Sequence, residues 1–186
     1  MTKQLPPAPN FESIDAAAVS SAPQRTELLA LIGNLVFTWS NNESMFIYVL
    51  MLLLRVDFDS AAITFVSLST TRARLDLIRR LAKAKCSDPT MVRKLQKLDE
   101  RLNDCTKVRN DFNHCIYRLD ATGRITHTNV LRVIEDKKGI RFAEIRAVDR
   151  KRLDEVASTI RKLTVLNRDL WSFLRELEVS NQAERS

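Results

Sequence analysis

The feature that most constrains the fold of this chain is the spacing of its apolar residues. After Pro89 they recur in alternating steps of four and three, the period of one buried stripe on an α-helix. The stripe consists of Met91, Leu95, Leu98, Leu102 and Cys105. The next step falls on Arg109, and Phe112 then continues the stripe. The spacing predicts a helix from about Pro89 to His114 with an arginine in its core-facing row.

The same periodicity predicts three further helices. The first runs from about Pro23 to Arg55, the second from about Ser60 to Lys85, and the last, capped by Asp149, ends at about Glu178. Only 3 of the 186 residues are glycine and 45% are hydrophobic, which favours an ordered, mostly helical protein. Four amphipathic helices joined by short connections indicate an antiparallel bundle.

Between helices three and four the pattern changes. Asp120 to Gly123 is typical of a type I turn. Two segments rich in Thr, Val and Ile, from Arg124 to Ile134 and from Ile140 to Val148, indicate strands. The predicted fold class is therefore mostly α: an antiparallel four-helix bundle with a β-hairpin inserted between helices three and four.

A chain of 186 residues suits one domain with a substantial core. We expect a single helical-bundle domain over residues 23–178, with the hairpin at about 116–148. Residues 1–22, where prolines cluster, are expected to form a flexible lead-in, and the polar residues 179–186 a frayed tail.

The net charge of +7 is compatible with a polyanionic partner such as nucleic acid. Much of it comes from the segment between His114 and Arg152, where basic residues outnumber acidic ones. A basic hairpin of this kind is either an RNA-binding face or simply a solvated surface.

Several features favour a cytoplasmic protein that does not enter a membrane. The 3 cysteines form no CxxC pair, as expected for reduced thiols. No basic segment followed by an apolar run marks a signal peptide at the start. The longest apolar run, from Met45 to Leu54, is too short to span a bilayer.

The sequence lacks the residues that most common catalytic and cofactor-binding sites require. No glycine-rich phosphate loop is present, and 2 histidines with scattered cysteines offer no metal-ligand cluster. No serine or cysteine has the surroundings of a catalytic triad. We therefore expect neither a metal nor a cofactor, and the candidates that remain are Arg109 and His114.

These two residue types suit cleavage of a phosphodiester without metal. An imidazole can take a proton from a ribose hydroxyl or give one to a leaving oxygen. A guanidinium can bind the non-bridging phosphate oxygens and stabilise charge in the transition state. RNA supplies its own nucleophile, the 2′-hydroxyl, so the pair indicates RNA as the substrate.

The sequence Arg109-Asn110 followed four residues later by His114 resembles the Arg–polar–His motif of the HEPN superfamily (higher eukaryotes and prokaryotes nucleotide-binding). The spacing Trp39-x-x-x-Glu43 in the first helix and the segment Arg72–Ile78 in the second are also similar to small bacterial members. The resemblance covers about residues 25–118 and leaves the hairpin out.

The resemblance implies a fold and an activity. Such families include metal-independent endoribonucleases of bacterial toxin–antitoxin and phage-defence systems, in which the motif residues of two protomers face each other; other members are not nucleases. Carried over, Arg109 and His114 are catalytic and Asn110 orients His114. The implied partners are a second copy of the chain, RNA, and an antitoxin or regulatory protein.

The helical period leaves the roles of the motif residues open. Arg109 either has a catalytic role or forms a structural ion pair with Glu43, which also occupies a core-like position; such a pair could also position Arg109 for catalysis. On a continuous helix Arg109 and His114 are about 140° apart, so convergence requires the helix to end near Asn113 or a second protomer to contribute. His114 could otherwise be an ordinary helix-end histidine.

Five arginines are the candidates for contacts with an RNA backbone: Arg72, Arg118, Arg124, Arg132 and Arg141. The sequence thus leaves three functions open: a homodimeric metal-independent endoribonuclease, a non-catalytic helical dimer that binds nucleic acid, nucleotide or a partner protein, and a scaffold protein. It does not decide whether the chain is an enzyme.

Overall fold

The computed structural model describes residues 11–136 and 139–183. Within these ranges five helices and three strands follow one another in the order α1 (Phe11–Leu54), α2 (Phe58–Ser67), α3 (Thr71–Lys85), α4 (Pro89–Asn113), β1 (Cys115–Leu119), β2 (Ile125–Asp136), β3 (Gly139–Ala147) and α5 (Arg150–Ala183). The prediction of a mostly helical protein is confirmed, whereas the four-helix bundle stays a prediction. Among the described helices, none combines the length and apolar character needed to cross a bilayer.

Helix α1 begins well before its predicted start. It extends from Phe11, so Pro23 lies in its interior and the predicted start at Pro23 is wrong. The alanines at 16–18 have high helix propensity, and a proline inside a helix removes only one backbone hydrogen bond and bends the axis. Of the predicted lead-in, residues 1–10 lie outside the described part of the chain.

The predicted second helix is two helices. Helix α2 ends at Ser67, where Leu68 adopts an extended backbone, and α3 begins at Thr71. The hydroxyl of Thr70 accepts a hydrogen bond from the backbone N–H of Ala73 at 3.1 Å. This side-chain cap satisfies a free amide at the start of α3 and makes the interruption favourable.

Helices α4 and α5 agree with the predicted starts. The Asp88 carboxylate accepts from the backbone N–H of Thr90 at 2.7 Å and so caps α4, and this donation lowers the pKa of Asp88. Asp149 caps α5 in the same way, accepting from the Arg152 N–H at 2.8 Å. Helix α5 continues to Ala183, into the segment predicted to be frayed.

The strands form an antiparallel sheet in the order β1-β2-β3. The two predicted strands are confirmed as β2 and β3, and β1, which pairs Cys115 with Val130, was not predicted. The turn before β2 is closed by a hydrogen bond from Gly123 N–H to the Asp120 carbonyl at 3.0 Å. Gly123 has φ of 74°, a conformation that strongly favours glycine.

The described residues group into two compact units. The first unit contains α1 up to Gly33 and residues 111–156, and its buried apolar side chains are Leu28, Phe112, Ile125, Val130 and Val156. The second unit contains residues 34–110 and 157 onward. Its largest buried side chains include Leu35, Trp39, Phe46, Leu50, Ile78, Leu95, Leu102, Leu163, Leu166 and Leu170. The single domain over residues 23–178 stays a prediction.

Candidate functional site

Arg109, in the second unit, is held against an aromatic ring. Its guanidinium carbon lies 4.3 Å from the ring centroid of Trp39. Trp39 is only 3% exposed, and its Nε1 donates to the hydroxyl of Thr106 at 2.9 Å. A cation over a partly desolvated indole gains about 1–2 kcal/mol. The indole, which is itself held by Thr106, therefore helps to fix the position of the Arg109 guanidinium.

The charge of Arg109 is not balanced by an ion pair within the described residues. One terminal nitrogen donates to the side-chain oxygen of Asn110 at 2.8 Å. Its Nε is buried and has no hydrogen-bond partner in the described part of the chain. An arginine held by an aromatic ring and an amide keeps its positive charge available for an anion.

His114 is the first residue after α4 and precedes β1. Its side chain is exposed. Because α4 ends at Asn113, the separation of about 140° between positions 109 and 114 on a continuous helix does not apply. Arg109 and Asn110 belong to the second unit and His114 to the first. The contact found for Asn110 is with Arg109, and its predicted role in orienting His114 stays a prediction.

Glu43, on α1, has partners other than the predicted one. Its carboxylate accepts from the Thr71 hydroxyl at 2.6 Å and pairs with the Arg74 guanidinium at 3.2 Å. The ion pair between Glu43 and Arg109, one of the two alternatives for Arg109, is not present among the described residues. Trp39, one turn earlier on α1, takes the place of the carboxylate as the neighbour of Arg109.

Glu43 pairs with Arg74 because the Arg74 guanidinium is bound at the end of α2. The Nε of Arg74 donates to the carbonyl oxygens of Phe65 and Leu68, at 3.1 and 3.0 Å, where α2 ends. The Phe65 carbonyl also accepts from the Leu68 N–H at 3.3 Å, and a cation beside the last carbonyls of a helix is favourable. Glu43 balances that cation and links α1 to the break between α2 and α3.

The five predicted RNA-binding arginines are divided between the two units. Arg72 lies in the second unit, whereas Arg118 and Arg124 lie in the first, and all three are exposed. Arg132 and Arg141 belong to β2 and β3, and their side chains lie outside the described residues. Their role in binding stays a prediction.

The sequence did not indicate a role for Asp111. In the first unit its carboxylate is buried and accepts from Arg152 at 3.0 Å and from Arg146. Arg152 also lies over the Phe112 ring, 4.8 Å from its centroid. Two of the basic residues counted as a binding face are thus structural, and they join α4, β3 and α5.

The helical period gave no signal for this buried carboxylate. Position 111 lies one turn after Lys107 and two turns after Asp104, both of which are exposed. The signal that was available is the excess of basic residues after β2, because buried arginines need anionic partners.

No family model, curated protein or solved structure matches this chain. The resemblance to the HEPN superfamily therefore rests on the motif residues and stays a prediction.

The geometry of the motif residues defines what they can do chemically. The Arg109 guanidinium lies against the Trp39 ring and has no ion-pair partner among the described residues, which suits recognition of a phosphate. The His114 imidazole is accessible and can exchange protons with a bound substrate. The described residues contain no group of three or more His, Cys, Asp or Glu side chains placed to hold a metal ion.

Proposed function

We propose that this chain is a metal-independent endoribonuclease of the bacterial defence or stress type, active as a homodimer with a composite Arg109–His114 site. The observation that carries the proposal is the state of Arg109: it lies on the Trp39 ring without a carboxylate partner among the described residues. A purely structural arginine in a helical core row normally needs an anion, because desolvating its charge is expensive.

In the proposed reaction, His114 takes the proton of a ribose 2′-hydroxyl. The 2′-oxygen attacks the adjacent phosphorus, and the bond from phosphorus to the 5′-oxygen breaks. The products are a 2′,3′-cyclic phosphate and a 5′-hydroxyl, which receives a proton from an acid such as the imidazolium of a second protomer. Arg109 binds the non-bridging oxygens as charge develops on them.

The proposed fold is the antiparallel four-helix bundle with the small sheet inserted before its last helix. A bundle of this kind offers a helix face on which two copies can pair. Two copies would bring two motifs to one interface, which supports a base and an acid in the same site.

The test is RNA cleavage by the purified protein in EDTA, with wild type beside Arg109→Ala and His114→Ala. We expect wild type to cleave and both variants to lose cleavage at least 100-fold while circular dichroism shows that they remain folded. Cleavage by wild type that both folded variants retain would contradict the assignment of the site.

The alternative is a non-catalytic helical dimer that binds nucleic acid, nucleotide or a partner protein. It is favoured by the hydrogen bond between Arg109 and Asn110, because both motif side chains could then serve packing beside Trp39. In that case Arg109→Ala would reduce the free energy of unfolding, and wild type would bind RNA without cleaving it.

A further inference from the structure

Three aromatic side chains of the second unit form an exposed cluster. Tyr48 of α1 lies between Phe58 of α2 and Trp171 of α5, with ring-centroid distances of 5.3 and 6.2 Å. Their exposed fractions are 38% for Tyr48, 44% for Phe58 and 49% for Trp171. Large exposed aromatic groups in mutual contact are typical of binding surfaces rather than of a solvated face.

A row of arginines follows the same side of α5. Arg161, Arg168 and Arg175 are spaced by seven residues, so they lie within about 40° of one helix face, and Trp171 is within about 60° of Arg168. All three arginines are exposed, and none has an ion-pair partner among the described residues. The aromatic cluster is therefore bordered by uncompensated positive charge.

Two carboxylates of α5 close to the arginine row are paired with cations of α4. On α5, Asp169 pairs with Arg101 at 2.7 Å, and Glu176 pairs with Lys94 at 2.5 Å. Asp57, beside Phe58, uses its carboxylate to cap α2 through Ser60. Asp59, next to Phe58, and Glu178, near the end of α5, form no ion pair among the described residues, so a polyanion fits best beside Arg161 and Arg168.

A groove between α1 and α5 extends the surface away from the cluster. It has a volume of about 240 Å³, and Phe37, Asn41, Thr164 and Arg168 are among the residues that line it. Phe37 is 66% exposed and lies on the same face of α1 as Tyr48, about 16 Å along the helix.

The floor of this groove is fixed. The buried Asn42 amide donates to the carbonyls of Thr38 and Leu163, at 2.8 and 3.0 Å, and so links α1 to α5. The groove, the arginine row and the aromatic cluster form one elongated surface on the second unit.

We propose that this α1–α5 surface binds single-stranded RNA. Bases stack on Trp171 and its aromatic neighbours, and the phosphates run along the arginine row. Exposed aromatic rings beside a basic row are how proteins bind single strands without reading sequence, since every base has a stackable face. A second copy of the chain would bring the same arginine row to this surface, and the repulsion of like charges disfavours pairing of two copies here.

The proposal rests on the proposed function only in taking RNA as the ligand. It uses none of the residues assigned to cleavage. Binding is therefore measured with the His114→Ala protein in EDTA, in which a short single-stranded oligouridylate stays intact, and cleavage is measured separately with wild type.

The intrinsic fluorescence of Trp171 can be used to measure RNA binding at this surface. Of its 2 tryptophans, Trp39 is buried and Trp171 is exposed. A base that stacks on Trp171 should quench its emission as oligouridylate is added. In the Trp171→Leu variant the quenching should vanish, and the anisotropy of a labelled oligouridylate should report binding weakened by about ten-fold. Trp171→Phe should retain affinity within about three-fold because it keeps a stacking ring.

The arginine row is tested through salt. Arg168→Gln and Arg175→Gln should each lower the slope of log affinity against log salt concentration by about 0.7, since each removes one phosphate contact to a single strand. Arg93→Gln is the matched control, because Arg93 is an exposed arginine of α4 that does not belong to this row, and its slope should equal that of the His114→Ala protein.

Three results would overturn the inference. Oligouridylate could bind without changing the Trp171 emission, it could fail to bind at all, or Trp171→Leu could dissociate an oligomer in light scattering while leaving RNA affinity unchanged. The last result would assign the surface to a second copy of the chain. None of these decides whether wild type cleaves RNA, so failure here and failure of the nuclease proposal are distinguishable.

Discussion

At the scale of single residues, Arg109 is defined by the group that holds it. The Trp39 ring stabilises the guanidinium without neutralising it, whereas a carboxylate would have occupied its hydrogen-bond donors. The same residue can therefore be rigid and still able to bind an anion.

The Arg109→Lys variant separates these two properties. The lysine keeps a positive charge beside Trp39 but loses the planar fork that binds two phosphate oxygens. We expect the free energy of unfolding to change by less than about 1 kcal/mol and RNA cleavage to fall at least ten-fold. Arg101→Lys, on the same helix, is the control and should keep full cleavage. Equal loss in both variants would mean that general destabilisation, not phosphate binding, is being measured.

Glu43 has a structural partner in Arg74, so its substitution should act on stability. Replacing Glu43 by Gln removes the negative charge beside Arg74 and should reduce the free energy of unfolding by about 1–2 kcal/mol in urea titrations. Cleavage per folded molecule should stay within about two-fold of wild type. A folded Glu43→Gln protein without cleavage would restore Glu43 as a residue that positions Arg109.

The sequence predicted the unusual position of Arg109 but not its neighbour. Trp39 and Glu43 are one turn apart on α1, so a side chain that reaches one of them is also near the other. Periodicity cannot decide between a ring and a carboxylate, because that depends on where other cations, here Arg74, need an anion. Asp111 was missed for a related reason, since its two arginine partners come from later elements.

At the scale of elements, boundaries depend on capping. The Thr70 hydroxyl accepts a hydrogen bond from the Ala73 N–H and so caps the start of α3. Loss of this hydrogen bond should destabilise the break between α2 and α3. Thr70→Ala should reduce the free energy of unfolding by about 1 kcal/mol. The control is Thr64→Ala, whose hydroxyl only donates to a carbonyl within α2 and should cost less. If Thr70→Ala and Thr64→Ala reduced the free energy of unfolding equally in thermal or urea unfolding, a capping role for Thr70 would be contradicted.

The long regular elements were predictable and the short ones were not. Helix α4 and strands β2 and β3 have clear periods and clear turn or capping residues at their ends. Leu68 kept the apolar pattern going across the break between α2 and α3, which hid the Thr70 cap. Strand β1 was hidden because Ile116 and Leu119 continue the helical spacing after Phe112; its pairing with β2 is a contact distant in sequence.

At the scale of the whole molecule, the distribution of charge matters more than the total of +7. Arg146 and Arg152 are bound by buried Asp111, so they contribute little to a binding face. The arginine row on α5 lacks such partners among the described residues and is the stronger electrostatic feature. Sequence counts predicted the basic character but placed it on the hairpin.

Asp99 should contribute to the pH dependence of the free energy of unfolding. This carboxylate is 3% exposed, and burial raises its pKa even though Arg79 lies 3.0 Å away. A raised pKa in the native state means that the native protein binds this proton more tightly than the unfolded chain does. The contribution of Asp99 to stability therefore increases as the pH falls from neutral through the native pKa.

The variant Asp99→Asn cannot titrate, so it isolates this effect. The difference in free energy of unfolding, wild type minus variant, should grow as the pH is lowered from 7 to about 4 in urea titrations. A difference that shrinks over the same range would show that pairing with Arg79 dominates and that the native pKa is lowered.

The measurement that tests the central claim most directly is the cleavage, in EDTA, of one RNA and of its 2′-O-methyl counterpart by the wild-type protein. We predict that the RNA is cut to products with 2′,3′-cyclic phosphate ends, that the 2′-O-methyl strand stays intact, and that His114→Ala cuts neither. Cleavage of both strands, or an RNA left intact by wild type across mixed substrates, would contradict a nuclease that uses the 2′-hydroxyl through Arg109 and His114.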